Sequence, residues 1–287
     1  MSELKNKRSW HWLLTVPLAC LALGAQAAEP LRVAVVGGIM LSGVWAQLQP
    51  RLEAATGESI EVVSMGPKAH VVPAFAEGRA DLLVIHGGSE TFALQAGGLG
   101  GRVLPWGYNE HVIAGPAGDP AGVREARDAV DALRRIAGSG TRLVAFRDPG
   151  SHEGVQRLIG KAGLTPSPDW LLVDETRDHH AILGQASRQH AYVVVGAIPL
   201  ARGRLAGEGI VRLFGGDPLL RRAFVTLEPG TAHPAGAEAR ARAARLVDYL
   251  VSPAGQATLA EADHAADGPW IYGVSKGLPV ITGEKSD

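Results

Sequence analysis

Two stretches of the sequence place a basic residue beside glycine, proline and small polar residues, directly after an apolar run. They are Ser64-Met65-Gly66-Pro67-Lys68 and Arg147-Asp148-Pro149-Gly150-Ser151-His152. Where a strand passes into a helix, unpaired backbone N–H groups and the helix dipole favour negative charge. Lys68 and Arg147 add charge, and Ser151 stands where an N-cap is expected. Both turns are candidate anion sites, although a solvated lysine and an Arg147–Asp148 surface pair would also explain these residues.

Two further turns carry fewer polar groups. His86-Gly87-Gly88-Ser89 follows an apolar run and offers backbone N–H groups with one hydroxyl. The early loop Gly37-Gly38-Ile39-Met40-Leu41-Ser42 offers only Ser42 and the backbone as donors. Glycine pairs after strands are common, so neither turn is specific by itself.

Motifs for catalysis and for metal binding are missing from the sequence. Adjacent histidines such as His179-His180 point about 100° apart on a helix, and no histidine pair at i, i+4 encloses a glutamate. Ser151-His152 lacks the Gly-x-Ser-x-Gly elbow of a hydrolase, and no Gly-x-x-x-x-Gly-Lys-Ser/Thr loop is present. We therefore expect no catalytic residues, no metal site and no cofactor.

The elements that must position these turns alternate along the chain. Expected strands are 31–36, 59–64, 81–86, 102–106, 110–114, 141–145, 170–173, 191–195, 210–213 and 223–227. Expected helices are 43–55, 69–77, 90–96, 123–136, 151–162, 177–188, 237–251 and 253–262. The alternation predicts an α/β fold with mostly parallel sheets flanked by helices. Ligands on such sheets bind beyond the carboxyl ends of the strands, where the candidate turns lie.

The N-terminal residues have the pattern of a secretory signal peptide. A basic start precedes an apolar run from Trp10 to Leu23, and small residues lie at Ala25 and Ala27, which predicts cleavage near Ala27. Cleavage would remove Cys20, the single cysteine; lipid attachment to Cys20 is the alternative, although the residues before it form a poor lipobox. The mature chain is then expected to be soluble and periplasmic.

The charge balance and the Gly/Pro-rich stretches suggest partners and boundaries. Removing residues 1–27 changes the formal charge to (28 - 3) - (29 - 1) = -3, which argues against nucleic acid as a partner.

The stretch Gly115–Gly122 and a second point near residues 221–227 are expected boundaries between lobes. Lobe 1 would comprise residues 28–114 and 223–287, and lobe 2 residues 115–222, with the cleft between them.

Several segments together resemble the tungstate/molybdate-type periplasmic solute-binding proteins of ABC importers. The segments are Ala80–His86, Gly107–Pro116 followed by Asp119–Gly122, Arg147-Asp148 with Gly150–Glu153, and Leu250–Gln256. The resemblance spans nearly the whole mature chain. It implies a two-lobed periplasmic-binding-protein fold of the two-crossover type, an oxyanion held between the lobes, an ABC permease as partner and a monomeric binding protein without enzymatic activity.

The resemblance also implies which residues contact the oxyanion: Ser42, Gly66, Pro67, Lys68, Ser89, Arg147 and Ser151. Arg147 matches the arginine with which this family grips the anion. Two features depart from the family: the first loop is largely apolar at Gly38–Leu41, and the segment from Arg147 to His152 is about two residues short. Another oxyanion or a small carboxylate therefore stays open as the ligand, as do a sensor or interaction protein of the same fold and, less well supported, a secreted hydrolase.

Overall fold

The computed structural model describes residues 29–176, 178–205 and 207–274, so the expected signal peptide and Cys20 lie outside the described residues. Its strands are β1 (Leu31–Val36), β2 (Ile60–Gly66), β3 (Leu82–His86), β4 (Gly100–Pro116), β5 (Leu143–Ala145), β6 (Leu171–Val173), β7 (Tyr192–Gly196), β8 (Ile210–Phe214), β9 (Arg221–Pro229) and β10 (Tyr272–Gly273). Its α-helices are α1 (Gly37–Ser42), α2 (Val44–Thr56), α3 (Lys68–Ala76), α4 (Ser89–Ala96), α5 (Ala129–Gly138), α6 (Pro149–Ala162), α7 (Ile182–Arg188), α8 (Ala197–Ala201), α9 (Ala237–Val251) and α10 (Pro253–Ala265). The expected α/β class is confirmed.

The strands form one hydrogen-bonded sheet with the main order β2-β1-β3-β9-β4-β7-β5-β6, and β8 and β10 each pair with β4. The pairs β1–β2, β1–β3, β5–β6 and β5–β7 are parallel. Every pair that includes β4 or β9 is antiparallel. The expected parallel pairing therefore holds in the two outer parts of the sheet, and β4 and β9 lie between them.

Strand β4 is continuous over 17 residues, so the expectation of two separate strands at 102–106 and 110–114 is wrong. Its first part pairs with β9, and its last part, from His111 onward, pairs with β7. A register shift relative to β9 lies between Pro105 and Gly107, within this strand. A Cβ on Gly107 would lie 2.9 Å from a side-chain atom of the C-terminal segment, so the close approach of β10 requires glycine here.

Three hydrophobic clusters fill the core. The first combines residues of β1, β2, β3 and β9 with helices α2, α3, α9 and α10. In β7, Tyr192 and Val194 belong to the second cluster, whereas Val193 and Val195 belong to the third. Because successive side chains of a strand point to opposite faces, the second and third clusters cover the two faces of β7. This explains why the strand is continuously apolar in sequence.

Two expected helices begin later than the sequence suggested. The expected helix 123–136 is a 3-10 turn at Val123–Glu125 followed by α5, because the Asp128 carboxylate caps α5 by accepting from the Asp131 N–H at 2.7 Å. The expected helix 177–188 is a 3-10 turn at His179–Ala181 followed by α7; residue 177 lies outside the described ranges. None of the helices in the described ranges is long and apolar enough to cross a membrane.

Two other boundaries matter for the candidate turns. Helix α6 begins at Pro149, and its N-cap is Asp148, whose carboxylate accepts from the Ser151 N–H at 3.1 Å. Ser151 therefore lies inside the first turn of α6, and its expected role as N-cap is wrong. The early segment Gly37–Ser42, expected as a loop, is the short helix α1.

Candidate anion-binding site

The turns that follow β1, β2 and β3 lie against one another. A Cβ on Gly37 would be 3.3 Å from the backbone of Gly66, and a Cβ on Gly38 would be 3.9 Å from Nε2 of His86. These strands are parallel neighbours, so their carboxyl ends share one edge of the sheet. Gly66 has a φ of +126°, and Pro67 precedes α3 in an extended conformation. The structure thus brings three of the candidate turns together.

Lys68 and Ser89 lie at this edge and share one carboxylate oxygen. Nζ of Lys68 is 2.7 Å from Oε2 of Glu90, and the Ser89 hydroxyl donates to the same oxygen at 3.3 Å. Burial is the largest single influence on Glu90 and opposes its ionisation, but the hydrogen bonds from Lys68, from its own backbone N–H and from Ser89, together with the charge of Lys68, lower the pKa of Glu90. The positive charge of Lys68 is therefore compensated within the protein.

Ser42 is completely buried. Its hydroxyl donates to the carbonyl of Ile39 at 2.7 Å and accepts from the N–H of Val44 at 3.1 Å. Both bonds are local and tie the end of α1 to the start of α2. The hydroxyl therefore has a complete structural role in this conformation.

Arg147 is turned toward the segment after β6. Its backbone N–H donates to Oδ2 of Asp174 at 3.1 Å, its Nε lies 3.5 Å from the same oxygen, and its guanidinium donates to the carbonyl of Thr176. Asp174 is buried, whereas the Arg147 side chain is 63% exposed. The alternative of a surface pair with Asp148 is not formed, and the guanidinium already has an acceptor and a counter-charge.

Ser151 differs from Arg147 because its side chain has no partner among the described residues. It is completely buried in the first turn of α6, its N–H is satisfied by Asp148, and its hydroxyl has no hydrogen-bond partner among the described residues. An unsatisfied buried hydroxyl costs stability, so native proteins contain few of them. The hydroxyl of Ser151 is therefore available to a ligand at the start of α6.

Arg222 is a functional candidate that the sequence analysis missed. It lies near the start of β9, partly buried, and pairs in register with Asn109 of β4. Its guanidinium rests on the first turn of α6, since a Cβ on Gly150 would be only 2.2 Å from its Cζ atom. In the described ranges the guanidinium forms no hydrogen bond and no ion pair. Two consecutive arginines at an expected lobe crossing were the signal that could have identified it.

Two buried histidines lie beside Arg222. His86 stacks on Phe224 with 4.1 Å between the rings, and Phe224 shares a face of β9 with Arg222. His111 follows Asn109 by two residues on β4 and so lies on the matching face. Burial first, and then the charge of Arg222, lower the pKa of His86 well below its usual value and that of His111 to about 3. Both rings are neutral at physiological pH.

The open hydrogen-bonding groups are concentrated in this region. The described ranges contain four buried polar side-chain atoms without a partner, and three of them are Oγ of Ser151, Nδ1 of His86 and Oδ1 of Asn109. The hydroxyl of Ser151, the guanidinium of Arg222 and the N-terminus of α6 favour a negatively charged ligand, whereas Oδ1 of Asn109 can only accept a hydrogen bond. We call this set, with Lys68 and Ser89, the candidate anion site.

Other arrangements in the described part of the chain do not compete with it. No group of three histidine, cysteine, aspartate or glutamate side chains among these residues is arranged to hold a metal ion. A cavity of about 260 Å³ lies between α10 and the segment Gly268–Gly273, and a smaller one of about 40 Å³ lies near Glu110 and Trp270. Neither is lined by residues of the candidate anion site.

Two curated sequences are similar to this chain, and no family model matches it. A proposed ABC transporter anion-binding protein of Haloferax volcanii is 30% identical over 150 residues, which cover 51% of this chain and 43% of the relative. The tungstate-binding protein TupA of Peptoclostridium acidaminophilum is 26% identical over 186 residues, which cover 61% of this chain and 64% of the relative. The chain thus matches less than two thirds of either relative.

Two solved structures have the same fold. The tungstate ABC transporter protein of Geobacter sulfurreducens aligns with a TM-score of 0.66 and 23% identity, over 81% of this chain and 98% of that one. The tungstate-binding protein TupA of Desulfovibrio alaskensis G20 aligns with a TM-score of 0.67 and 23% identity, over 80% and 93%. The resemblance inferred from the sequence motifs is confirmed, and so is the periplasmic-binding-protein-like fold.

Proposed function

We propose that this chain is an extracytoplasmic solute-binding protein that captures a small oxyanion for an ABC importer. The observation that carries the proposal is the open hydroxyl of Ser151 in the first turn of α6, next to the guanidinium of Arg222, which forms no hydrogen bond and no ion pair among the described residues. Such a set is complementary to an anion. The names of the two relatives, one anion-binding and one tungstate-binding, favour the same ligand class. Tungstate or molybdate is the leading ligand.

The protein would act by binding and release, without catalysis. The relatives are binding proteins. We propose export to the periplasm, cleavage near Ala27, a monomeric mature chain and an ABC permease as the protein partner. Nucleic acid is not proposed as a partner, because the mature chain carries a formal charge near -3 and no basic stripe.

We further propose two lobes, formed by residues 28–114 with 223–287 and by residues 115–222. The composition of the core supports these limits. The first hydrophobic cluster draws its residues from 31–106 and 224–271, whereas the other two draw theirs from 112–220. The chain passes between the two sets within β4 and at the start of β9. An anion that contacts both sets would favour the closed arrangement of the lobes.

The proposed ligand contacts come from both lobes. Gly66, Lys68 and Ser89 belong to lobe 1, with Pro67 shaping the turn between two of them. Ser151 belongs to lobe 2 and contributes its hydroxyl. Lys68 can contact an anion while it keeps Glu90, because an ammonium has three donors. Ser42 would have to leave its two local hydrogen bonds to reach the ligand.

A thermal-shift screen of the mature protein tests this function. The panel should contain tungstate, molybdate, sulfate, phosphate and small carboxylates such as acetate and malonate. A ligand at one hundred times its Kd stabilises by about 2.7 kcal/mol. For a chain of this size, that raises Tm by roughly 5–10 °C. We expect the shift with tungstate or molybdate; a shift with a carboxylate alone would replace the ligand class, and no shift with any anion would contradict the proposal.

A further inference from the structure

The two arginines near the start of α6 are held in different ways. Arg147 has both a hydrogen-bond acceptor, the carbonyl of Thr176, and a counter-charge, the carboxylate of Asp174. Arg222 forms no hydrogen bond and no ion pair within the described part of the chain, and the carboxylates of Asp148, Glu153 and Glu90 attract its charge without contacting it directly. An arginine can leave its charge exposed to water at no cost, but Arg222 is partly buried. Its lack of a partner therefore requires an explanation.

The surroundings of Arg222 make its position unfavourable without a ligand. The guanidinium lies on Gly150, in the first turn of α6, where the positive end of the helix dipole repels a cation. His86 and His111 lie nearby, and the charge of this guanidinium is, after burial, a cause of the lowered pKa of each ring. Burial in turn lowers the pKa of Arg222. A guanidinium, a helix N-terminus and two neutral imidazoles thus meet here, and the carboxylates of Asp148, Glu153 and Glu90 act on the guanidinium without a direct ion pair.

Gly150 is what permits this contact. A Cβ at this position would lie 2.2 Å from Cζ and 2.3 Å from one terminal nitrogen of Arg222, so no other residue type leaves the guanidinium where it is. Gly154, one turn later on the same helix, meets nothing within 4 Å of such a Cβ. A side chain at residue 150 would therefore collide with Arg222, whereas a Cβ at residue 154 would meet no neighbouring atom.

We propose that Arg222, and not Arg147, is the arginine that holds the anion in this protein. The fork of N–H donors on Arg222 would bind two oxygens of a ligand seated at the first turn of α6, beside the hydroxyl of Ser151. The ligand is then a compact oxyanion that presents two oxygens on one side. Arg147 instead fixes the segment Asp174–Thr176. This inference rests on the proposed function and assigns its charge-bearing residue.

The first test compares Arg222→Met with Arg147→Met, titrated calorimetrically with tungstate and with molybdate. For Arg222→Met we expect affinity to fall by about 10- to 150-fold, as for a lost hydrogen bond to a charged group. The Tm without ligand should stay the same or rise, because an unpaired, partly buried charge has been removed. For Arg147→Met we expect affinity to change by less than about fivefold. Its ligand-free Tm should fall, because Asp174 loses its counter-charge.

The second test uses Gly150→Ala with Gly154→Ala as the matched control, and it does not depend on the folding of an arginine variant. The methyl group at residue 150 should displace the guanidinium and weaken oxyanion binding by at least about tenfold. Gly154→Ala should bind normally and melt at the same or a slightly higher temperature, since alanine favours a helix.

Each of three results would contradict the inference. The Arg222→Met variant could bind the oxyanion as tightly as the wild type, or the Arg147→Met variant could lose the affinity expected for Arg222→Met. The third is a Gly150→Ala variant that binds as tightly as Gly154→Ala. A wild type that binds no oxyanion of the screen is a different result, because it overturns the proposed function itself. A wild type that binds while Arg222→Met binds equally well overturns only the assignment of Arg222.

Discussion

Ser42 and Ser151 are both completely buried serines at helix ends, yet the protein uses them differently. The hydroxyl of Ser42 donates one hydrogen bond and accepts another, both within three residues. The hydroxyl of Ser151 has no partner in the described ranges. The same contrast separates the two cations of the candidate anion site, since Lys68 forms an ion pair with Glu90 whereas Arg222 forms none among the described residues.

The contrast shows which side of the site depends on a ligand. In the turns after β1 to β3, the side chains of Ser42, Lys68 and Ser89 have partners within the protein. The region formed by α6, the β4–β9 strands and His86 leaves polar atoms open and keeps two histidines uncharged. Unsatisfied buried groups reduce stability and are retained mainly at functional sites. We therefore expect ligand binding to change the second region more than the first.

The largest expected effect is a loss of ligand-free stability in mild acid. The pKa values of His86 and His111 are lowered in the folded protein, so between pH 6.5 and pH 5 the unfolded chain binds protons that the folded chain does not. Stability therefore falls as the pH falls, by up to about 2 kcal/mol at pH 5 for each histidine. Urea unfolding at both pH values measures this loss.

The pH dependence of stability can be tested with a matched control variant, and we expect a related pH dependence of ligand affinity. His111→Gln should reduce the pH dependence, whereas His152→Gln should not, because His152 is exposed on α6. A bound anion should raise the pKa of both buried histidines, so affinity should increase as the pH falls from 7 to 5.5. An affinity that decreases over this range would place the anion away from the histidines.

Replacing each of the two serines by alanine tests the contrast between Ser42 and Ser151 directly. Ser151→Ala should weaken oxyanion binding by about 2- to 12-fold, the equivalent of 0.5–1.5 kcal/mol for a hydrogen bond, and leave the ligand-free Tm unchanged or higher. Ser42→Ala should leave affinity unchanged and lower ligand-free stability by about 1–3 kcal/mol, since the buried N–H of Val44 loses its acceptor. Calorimetric titration and melting curves of both variants give the answer. If the two variants behave alike, the contrast is wrong.

Arg202 offers a test of how the proposed lobes are held together. From α8, beside the second and third clusters, it donates to the carbonyl of Ser42 at 2.6 Å and to that of Ala266 at 3.0 Å, and it stacks on Trp270. Arg202→Gln should lower ligand-free stability by about 1 kcal/mol and expand the protein in solution scattering. Arg204→Gln is the control, because Arg204 is an exposed neighbour on the following turn. Equal scattering curves for both variants would show that this contact does not hold the lobes.

The smallest expected effect concerns Glu90. Glu90→Gln removes the carboxylate that compensates Lys68 and should raise oxyanion affinity by about two- to fivefold, in line with the 0–1 kcal/mol of an exposed pair. The gain should shrink at high salt, because partly exposed charges are screened. Titration at low and at high ionic strength measures both changes. A lower affinity would indicate that Glu90 positions Lys68 for the ligand instead of competing with it.

Local patterns in the sequence were sufficient for much of the fold. Apolar runs such as that of β7 and glycine turns such as Gly66-Pro67 predicted the strands and the order of the elements, and the motifs predicted the family resemblance. Errors arose where a distant contact overrode a local signal. The expected strands 102–106 and 110–114 form the single strand β4, in which Gly107 allows β10 to approach. Ser151 suggests an N-cap, but Asp148 takes that role one turn earlier than expected.

The sequence by itself determined the α/β class, the turns rich in glycine and basic residues, and the location of those turns at strand ends, because each depends on residues close together in the chain. The tertiary structure alone decided which cation lacks a partner. Arg147 meets Asp174 and Thr176, 27 and 29 residues away, and Arg222 meets Gly150 across the fold. Charge compensation depends on distances in space, which chain separation does not encode.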